Sequence, residues 1–247
     1  IDAVDSLLLA AGRDLTIAST IRADGNQRNL DRIARVHIQG ANATVLMSAA
    51  RDLTLTAANL RSDSQGNTVI VAGGDMNLDT LQESRTESIQ WDQNNWQRQS
   101  WQSDIGSHIQ TTGKLLLQAA GNMHLKAAAL TSERGGLDLI SAGHIDVSAG
   151  QTQTTLQSSQ YSESRGFLSR TSRRSNTFID QSQAVASELS AEQINLSAGK
   201  NIQVSASQIV ATGDLNIAAA GDIDVSAQSY QQTDHRDTLT IKSGLMR

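Results

Sequence analysis

Few side chains in this sequence are of the kinds that carry out chemistry, and their spacing decides what they can do. The five histidines, His37, His108, His124, His144 and His235, never stand at metal-ligand spacing, and there is no cysteine to supply a thiolate or a disulfide. Asp14, Asp52, Asp75 and Asp222 recur at one position of a repeated pattern, without the paired glycines of the calcium-binding nonapeptide, so they read as acceptors of turn hydrogen bonds. No phosphate-binding loop, dinucleotide fingerprint or nucleophile elbow is present. Catalytic, cofactor-binding and metal-binding residues are therefore assigned to none, and the chain is expected not to be an enzyme.

Two groups of residues remain as candidate contacts. Trp91, Trp96 and Trp101 fall within eleven residues of one another, and Arg165, Arg170, Arg173 and Arg174 form a basic stretch with no acid from Ser164 to Ile179. Two roles fit each group. The tryptophans serve either as packing against a neighbouring surface or as a patch for a carbohydrate or receptor. The arginines form either a solvated tip or a contact to an anionic glycan.

The elements that position these residues come from a repeat. AGRDLTIAS from Ala11, AARDLTLTA from Ala49, AGGDMNLDT from Ala72, AAGNMHLKA from Ala119, SAGHIDVSA from Ser141, AGKNIQVSA from Ala198 and AAGDIDVSA from Ala219 share one template. Small residues lead into a polar turn residue (Asp14, Asp52, Asp75, Asn122, His144, Asn201, Asp222), then apolar, polar, apolar. The period-two alternation predicts strands whose inward residues include Ile17, Leu55, Leu78, Leu125, Val147, Val204 and Val225. A second strand precedes each corner: Leu7 and Leu9, Val45 and Met47, Val69 and Val71, Leu115 and Leu117, Leu137 and Leu139, Ile194 and Leu196, Leu215 and Ile217. Glycines such as Gly73, Gly121, Gly143 and Gly221 occupy the corner between, where positive φ or close backbone approach is needed.

Short strands, tight corners and a period of about 19 to 23 residues predict an all-β parallel solenoid of eight to eleven coils, about 40 to 50 Å long. The 38-residue interval from Asp14 to Asp52 leaves room for two coils, one degenerate near Val36 and Ile38. The absence of proline fits, because proline removes a ladder hydrogen bond from any strand paired on both edges. Repeat coils are expected over 7–80, 113–150 and 189–227, with extra-helical β-hairpin inserts at 81–112, 151–188 and 228–247. These inserts hold all seven aromatic residues and are expected to lean against the solenoid's side. A carboxylate at inward Val204 is expected to be costly and one at outward Gln203 nearly neutral.

A formal net charge of −5 lacks the basic footprint of a nucleic-acid binder, so no nucleic-acid partner is expected. The longest apolar run, Leu7 to Ala11, is too short to span a bilayer and follows Asp2 and Asp5, so it does not read as a signal peptide. The chain reads as an internal segment of something longer.

The A-G-x-D-[LIM]-x-[LIV]-x-[AS] units resemble the haemagglutinin repeats of filamentous-haemagglutinin-like two-partner-secretion exoproteins. The segment from Ser162 to Ser207 is similar to a unit of the distal repeat region of contact-dependent growth inhibition exoproteins. The resemblance implies a right-handed parallel β-helix, exported by an outer-membrane two-partner-secretion transporter and displayed on, or secreted from, a Gram-negative cell. It also implies a filamentous stalk used in cell contact, adhesion or toxin delivery, meeting a target-cell receptor, glycan or outer membrane, and it carries no cofactor and no active-site residues to transfer. The competing class is a β-helical enzyme that binds or cleaves polysaccharide, which would need clustered carboxylates at non-repeating positions.

Overall fold

The computed structural model describes residues 1–244 and contains only β-structure among them. Three strands make one coil, and the coils stack so that each strand pairs in parallel with its counterparts above and below. Seven coils are described. On the first face lie Asp2–Ala3, Arg35–Ile38, Asn59–Ser62, His108–Thr111, Ala129–Ser132, Glu188–Ala191 and Gln208–Ala211. On the second are Leu7–Ala11, Val45–Ala49, Thr68–Ala72, Leu115–Ala119, Gly136–Ser141, Gln193–Ala198 and Leu215–Ala219. The third holds Leu15–Ala18, Leu53–Thr56, Met76–Asp79, Met123–Lys126, Ile145–Ser148, Ile202–Ser205 and Ile223–Ser226. This is a parallel β-helix.

Register follows the aliphatic side chains. Leu15, Leu53, Met76, Met123, Ile145, Ile202 and Ile223 pair in sequence up the third face, as do Ile17, Leu55, Leu78, Leu125, Val147, Val204 and Val225. Leu55, Leu78, Leu125, Val147 and Val204 are buried in one continuous core with the inward residues of the other faces. Ile17 is partly buried against that core, and Val225 is 70% exposed. Val225 keeps the inward register of Val204, and its exposure comes with its place on the last described coil.

Three sequence expectations are corrected. In Thr68–Ala72 the inward residues are Thr68, Ile70 and Ala72, with Val69 and Val71 outward, because pairing sets Thr68 against Val45 and Ile70 against Met47. The described coils number seven, spanning roughly 29 Å between the first and last at ~4.8 Å per coil, because the inserts take up residues that would otherwise form coils. The interval between Asp14 and Asp52 is filled by a hairpin, Thr20–Asp24 with Gln27–Arg32, and Val36 and Ile38 lie on a regular first-face strand.

The corner between second and third faces explains the A-G-x-D template. Each polar turn residue accepts a hydrogen bond from the backbone N–H of its counterpart one coil on. Asp52 donates to Asp14 Oδ1 (3.3 Å), Asp75 to Asp52 (2.9 Å), Asn122 to Asp75 (2.6 Å) and His144 to Asn122 (3.1 Å). Asn201 then donates to His144 Nδ1 (3.4 Å) and Asp222 to Asn201 Oδ1 (3.2 Å). Where a glycine precedes the turn residue, at Gly74, Gly121, Gly143 and Gly221, it leaves room for the oxygen below: a Cβ at Gly121 would stand 2.2 Å from Asp75 Oδ1, and one at Gly221 2.1 Å from Asn201 Oδ1. None of these glycines has positive φ, so close approach is the constraint at this corner.

The corner from third face back to first alternates. In the second, fourth and sixth coils it is two residues long and turns on an alanine at positive φ: Ala57 (46°), Ala127 (47°) and Ala206 (46°). In the first, third and fifth coils the chain leaves the solenoid there as a hairpin and returns. The second hairpin, Leu81–Gln90 with Trp96–Ile105, is back in the solenoid by His108, so the insert is shorter than 81–112. The third, Gly150–Arg165 with Ser169–Val185, returns at Glu188. After the seventh coil Gln231–Gly244 forms the last extra-helical strand, and residues 245–247 of the expected third insert lie outside the described residues. Buried serines staple the hairpin roots. Ser107 Oγ donates to the Leu55 carbonyl (3.0 Å) and accepts from the Ala58 N–H (3.1 Å). Ser187 does the same between Ser148 and Ala128, and Ser19 between Ala57 and Ala34.

Core and register together generate two expected outcomes. Val204, 3% exposed, lies between Val147 and Val225, so Val204→Asp buries an unpaired carboxylate and is expected to cost about 3 kcal/mol or more. Outward Gln203 separates Asp146 from Asp224, so Gln203→Asp would align three carboxylates and cost up to about 1 kcal/mol, relieved by salt, where the sequence alone suggests neutrality. Thr68 Oγ1 is buried without a partner, and Thr68→Val is expected to raise stability by about 1 kcal/mol. Urea denaturation of the three variants, at low and high salt for Gln203→Asp, checks all three values.

Candidate functional site: the hairpin sheet

The hairpins join into one seven-stranded antiparallel sheet. Its order is Thr20–Asp24, Gln27–Arg32, Leu81–Gln90, Trp96–Ile105, Gly150–Arg165, Ser169–Val185, Gln231–Gly244. Neighbouring hairpins pair edge to edge, with Trp96 to Ser103 against Thr152 to Ser159, and Ser169 to Ser182 against Gln231 to Gly244. Most residues of Gly150–Arg165 and Ser169–Val185 are only half-buried on both alternations, and most are Gln, Ser, Thr or Arg, with few apolar side chains among them. Such strands have no apolar face to lay on the solenoid, so they stand out from it as a single layer. The expected leaning of the inserts against the solenoid's side is therefore replaced by edge-to-edge pairing among them.

The sheet is tied down at its base. Asp104, buried at the foot of the second hairpin, forms an ion pair with Lys126 of the fourth coil (3.0 Å) and accepts from the Gln151 N–H of the third hairpin (3.1 Å). Gln102 donates to Gln153, which donates to Asp180 (2.7 and 2.9 Å), crossing three strands.

The tryptophans do not form one patch. Trp96 pairs with Ser159 and shares a face with Arg98 and Phe178, whereas Trp101 pairs with Thr154 on the opposite face. Trp91 sits in the turn of the second hairpin, 62% exposed. None is enclosed by the solenoid. The arginines are divided as well. Arg165 and Arg170 both bind the Glu163 carboxylate, Arg170 at 2.6 Å, and Tyr161 OH donates to it at 2.9 Å. Arg165, then Tyr161 and Arg170, hold the Glu163 carboxyl down at about 2. Arg174 lies over the Tyr161 ring on that face, 6.0 Å from its centroid. Arg173 points to the other face. Sequence reading missed Glu163 because it immediately precedes the acid-free stretch and reaches its partners across the hairpin rather than along the chain.

The histidines are scattered. His37 contacts Asp63 (2.9 Å), His124 contacts Asp146 (2.8 Å) and His235 contacts Asp237 (3.0 Å), while His144 belongs to the corner ladder. Among the described residues no group of three or more His, Asp or Glu is placed to hold a metal ion.

The third hairpin outreaches the second, and the step between them is a cleft of about 660 Å³ bordered by Trp91, Asp92 and Asn95 of the shorter turn and by Gln160, Tyr161, Ser162, Arg173 and Ser175 of the longer arms. The turn is fixed by Asp92, whose carboxylate accepts from Asn95 Nδ2 (2.7 Å) and from the backbone N–H groups of Asn94 and Asn95. Those bonds, the Asn95 side chain first, hold its carboxyl below the usual range.

A family model described as hemagglutinin repeat matches residues 88–167 and again 168–246, together nearly two thirds of the sequence. The chain belongs to the hemagglutinin-repeat family. Its repeats form parallel β-helices that are structural and adhesive in filamentous-haemagglutinin-like proteins, and such proteins are typically secreted to the cell surface. No curated protein and no solved structure matches the chain. The two matches have a structural meaning. Each begins in or at a hairpin, contains a returning strand and two whole coils, and ends on the next outgoing strand. The hemagglutinin repeat is thus a two-coil unit with two sheet strands, and Gln27 to Gln90 shows the same order of elements with shorter arms.

The Glu163 clamp gives a pH prediction. A depressed carboxyl stabilises the folded tip fully above its unfolded value near 4.5 and loses that contribution progressively as pH falls from there through about 2. A carbon-detected NMR titration is expected to show Glu163 ionised at pH 3.5 in the wild type. In Arg165→Gln its midpoint is expected to move up toward 4.5.

Proposed function

We propose that this chain is a rigid adhesive segment of a large two-partner-secretion exoprotein on a Gram-negative cell surface, of the kind that contact-dependent growth inhibition systems use to reach neighbouring bacteria. The solenoid serves as the stalk, and the hairpin sheet is the surface that meets a target-cell receptor, glycan or outer membrane. The supporting observation is the division of labour in the fold. The buried aliphatic core lies inside the solenoid, while every aromatic residue is carried outside it, on the hairpins or, for Tyr230, just before the last extra-helical strand. The enzyme alternative finds no support in the cleft, where the one carboxylate, Asp92, is occupied by its own turn.

The two-residue corners provide the test. Removing residues 81–106 joins Thr80 to Ser107, matching the Ala206 to Ser207 corner of the sixth coil. With Thr80→Ala to suit positive φ, this variant is expected to keep β-type circular dichroism and cooperative unfolding. Wild-type chain is expected to bind intact Gram-negative cells in a pull-down, and the spliced variant to lose most of that binding. Equal binding by both would assign the hairpin to packing alone.

A further inference from the structure

We infer that the cleft at the step between the second and third hairpins is a binding site for a carboxylate-bearing pyranoside, a sugar acid of the uronic or sialic type. The inference deepens the adhesive reading above by naming the ligand chemistry.

The floor of the cleft is one face of two paired strands. Gln160 pairs with Ser175, and Ser162 pairs with Arg173, so four polar side chains project together from the same side of the sheet. The wall is the Trp91 to Asn95 turn, pinned against the floor strand by the bond from the Tyr161 N–H to Asn95 Oδ1 (2.6 Å). That bond and the three accepted by Asp92 preorganise the wall, so little ordering remains to be done on binding. Trp91 therefore presents an exposed indole above a bed of amide and hydroxyl groups. An indole face beside hydroxyl and amide groups suits a pyranose, which has an apolar C–H face and a rim of hydroxyls.

Charge selects among pyranoses. Arg165 and Arg170 are taken up by Glu163, and Arg174 lies over Tyr161 and donates to Asn94 Oδ1 (3.3 Å), all three on the alternation opposite to Arg173. Arg173 makes no salt bridge among the described residues and projects into the cleft. Lys242 lies on the same face, one alternation further toward the tip, opposite Thr171. The one acid bordering the cleft, Asp92, has both oxygens engaged by its own turn. A guanidinium without a partner beside neutral hydrogen-bonding groups matches a sugar that carries its own carboxylate.

Isothermal titration of the full chain with 3′-sialyllactose, tri-galacturonic acid and neutral lactose tests the site and tells the two sources of sugar acid apart. At least one acidic sugar is expected to bind about tenfold or more tighter than lactose. Arg173→Gln is expected to reduce that sugar to the level of lactose, and Trp91→Ala to weaken all binding. Arg165→Gln, on the opposite face, is expected to change nothing, and unchanged circular dichroism confirms that each variant is folded. Absence of binding, equal affinity for acidic and neutral sugars, or binding retained in both cleft variants overturns the inference. Because this assay uses no cells, cell binding without sugar binding refutes the cleft and leaves the adhesive reading standing, while the reverse result refutes adhesion and leaves the cleft.

Discussion

Everything in this molecule is governed by the ~4.8 Å rung set by backbone hydrogen bonds between parallel strands. Coils that must repeat at that spacing on three faces can hold only side chains that stack on copies of themselves, which is why the interior is Leu, Ile, Val, Met and Ala with small or hydroxyl residues near the corners. The same spacing shapes the corners. An Asp or Asn side chain reaches one rung and no further, so Asp14, Asp52, Asp75, Asn122 and Asn201 each cap the backbone N–H of the next coil. At Gly74, Gly121, Gly143 and Gly221 the missing side chain is the complement of that reach.

The rung also dictates where the hairpins are. A hairpin contributes two strands, and two antiparallel strands occupy about the height of two coils. A continuous outer sheet is therefore compatible with the solenoid only if every second coil emits a hairpin from the same corner. The first, third and fifth coils do so, and the coils between them close on Ala57, Ala127 and Ala206. Alanine at φ near +46° is strained by roughly 1 kcal/mol, and the surrounding packing enforces it. Ala127 is wedged between the two neighbouring roots, with a Cβ at Gly106 falling 1.7 Å from its carbonyl oxygen and one at Gly150 3.0 Å from its Cβ. The two-coil length of the family repeat is a consequence of this geometry rather than a separate fact.

The solenoid was legible in the sequence because its signal is redundant: a period-two pattern following a small-residue corner recurs in each of the seven units. Where redundancy fails, so does the reading. Thr68-Val69-Ile70-Val71-Ala72 alternates nothing, and only its pairing with Val45–Ala49 fixes which residues face in. The short hairpin at Thr20–Asp24 and Gln27–Arg32 has no aromatic residue to distinguish it from a degenerate coil. Inserts were visible as polar interruptions, but their joining into one sheet was not, because edge-to-edge pairing is made by backbone groups that every sequence possesses. The separation of the tryptophans follows from strand parity: Trp96 and Trp101 are five apart and so face opposite ways.

A single-layer polar sheet faces a particular problem in making a binding site, since a flat ribbon with solvent on both sides has no concavity. Curvature and twist give shallow grooves at best. An abrupt change in arm length gives a step. The arms of the second hairpin are ten residues each, Leu81–Gln90 and Trp96–Ile105, and those of the third are sixteen and seventeen, Gly150–Arg165 and Ser169–Val185. The shorter turn must therefore end against the exposed edge of the longer arm, with its side chains overhanging the strand face beside it. Hairpin length is also the one dimension that the rung leaves free. Roots are fixed by Ser19, Ser107 and Ser187 and by the ladder beneath them, whereas a residue pair added at a tip disturbs no coil. Sequence change that lengthens one hairpin past its neighbour builds a cleft without touching the stack, so the outer surface can vary along the solenoid while the stack itself stays constant.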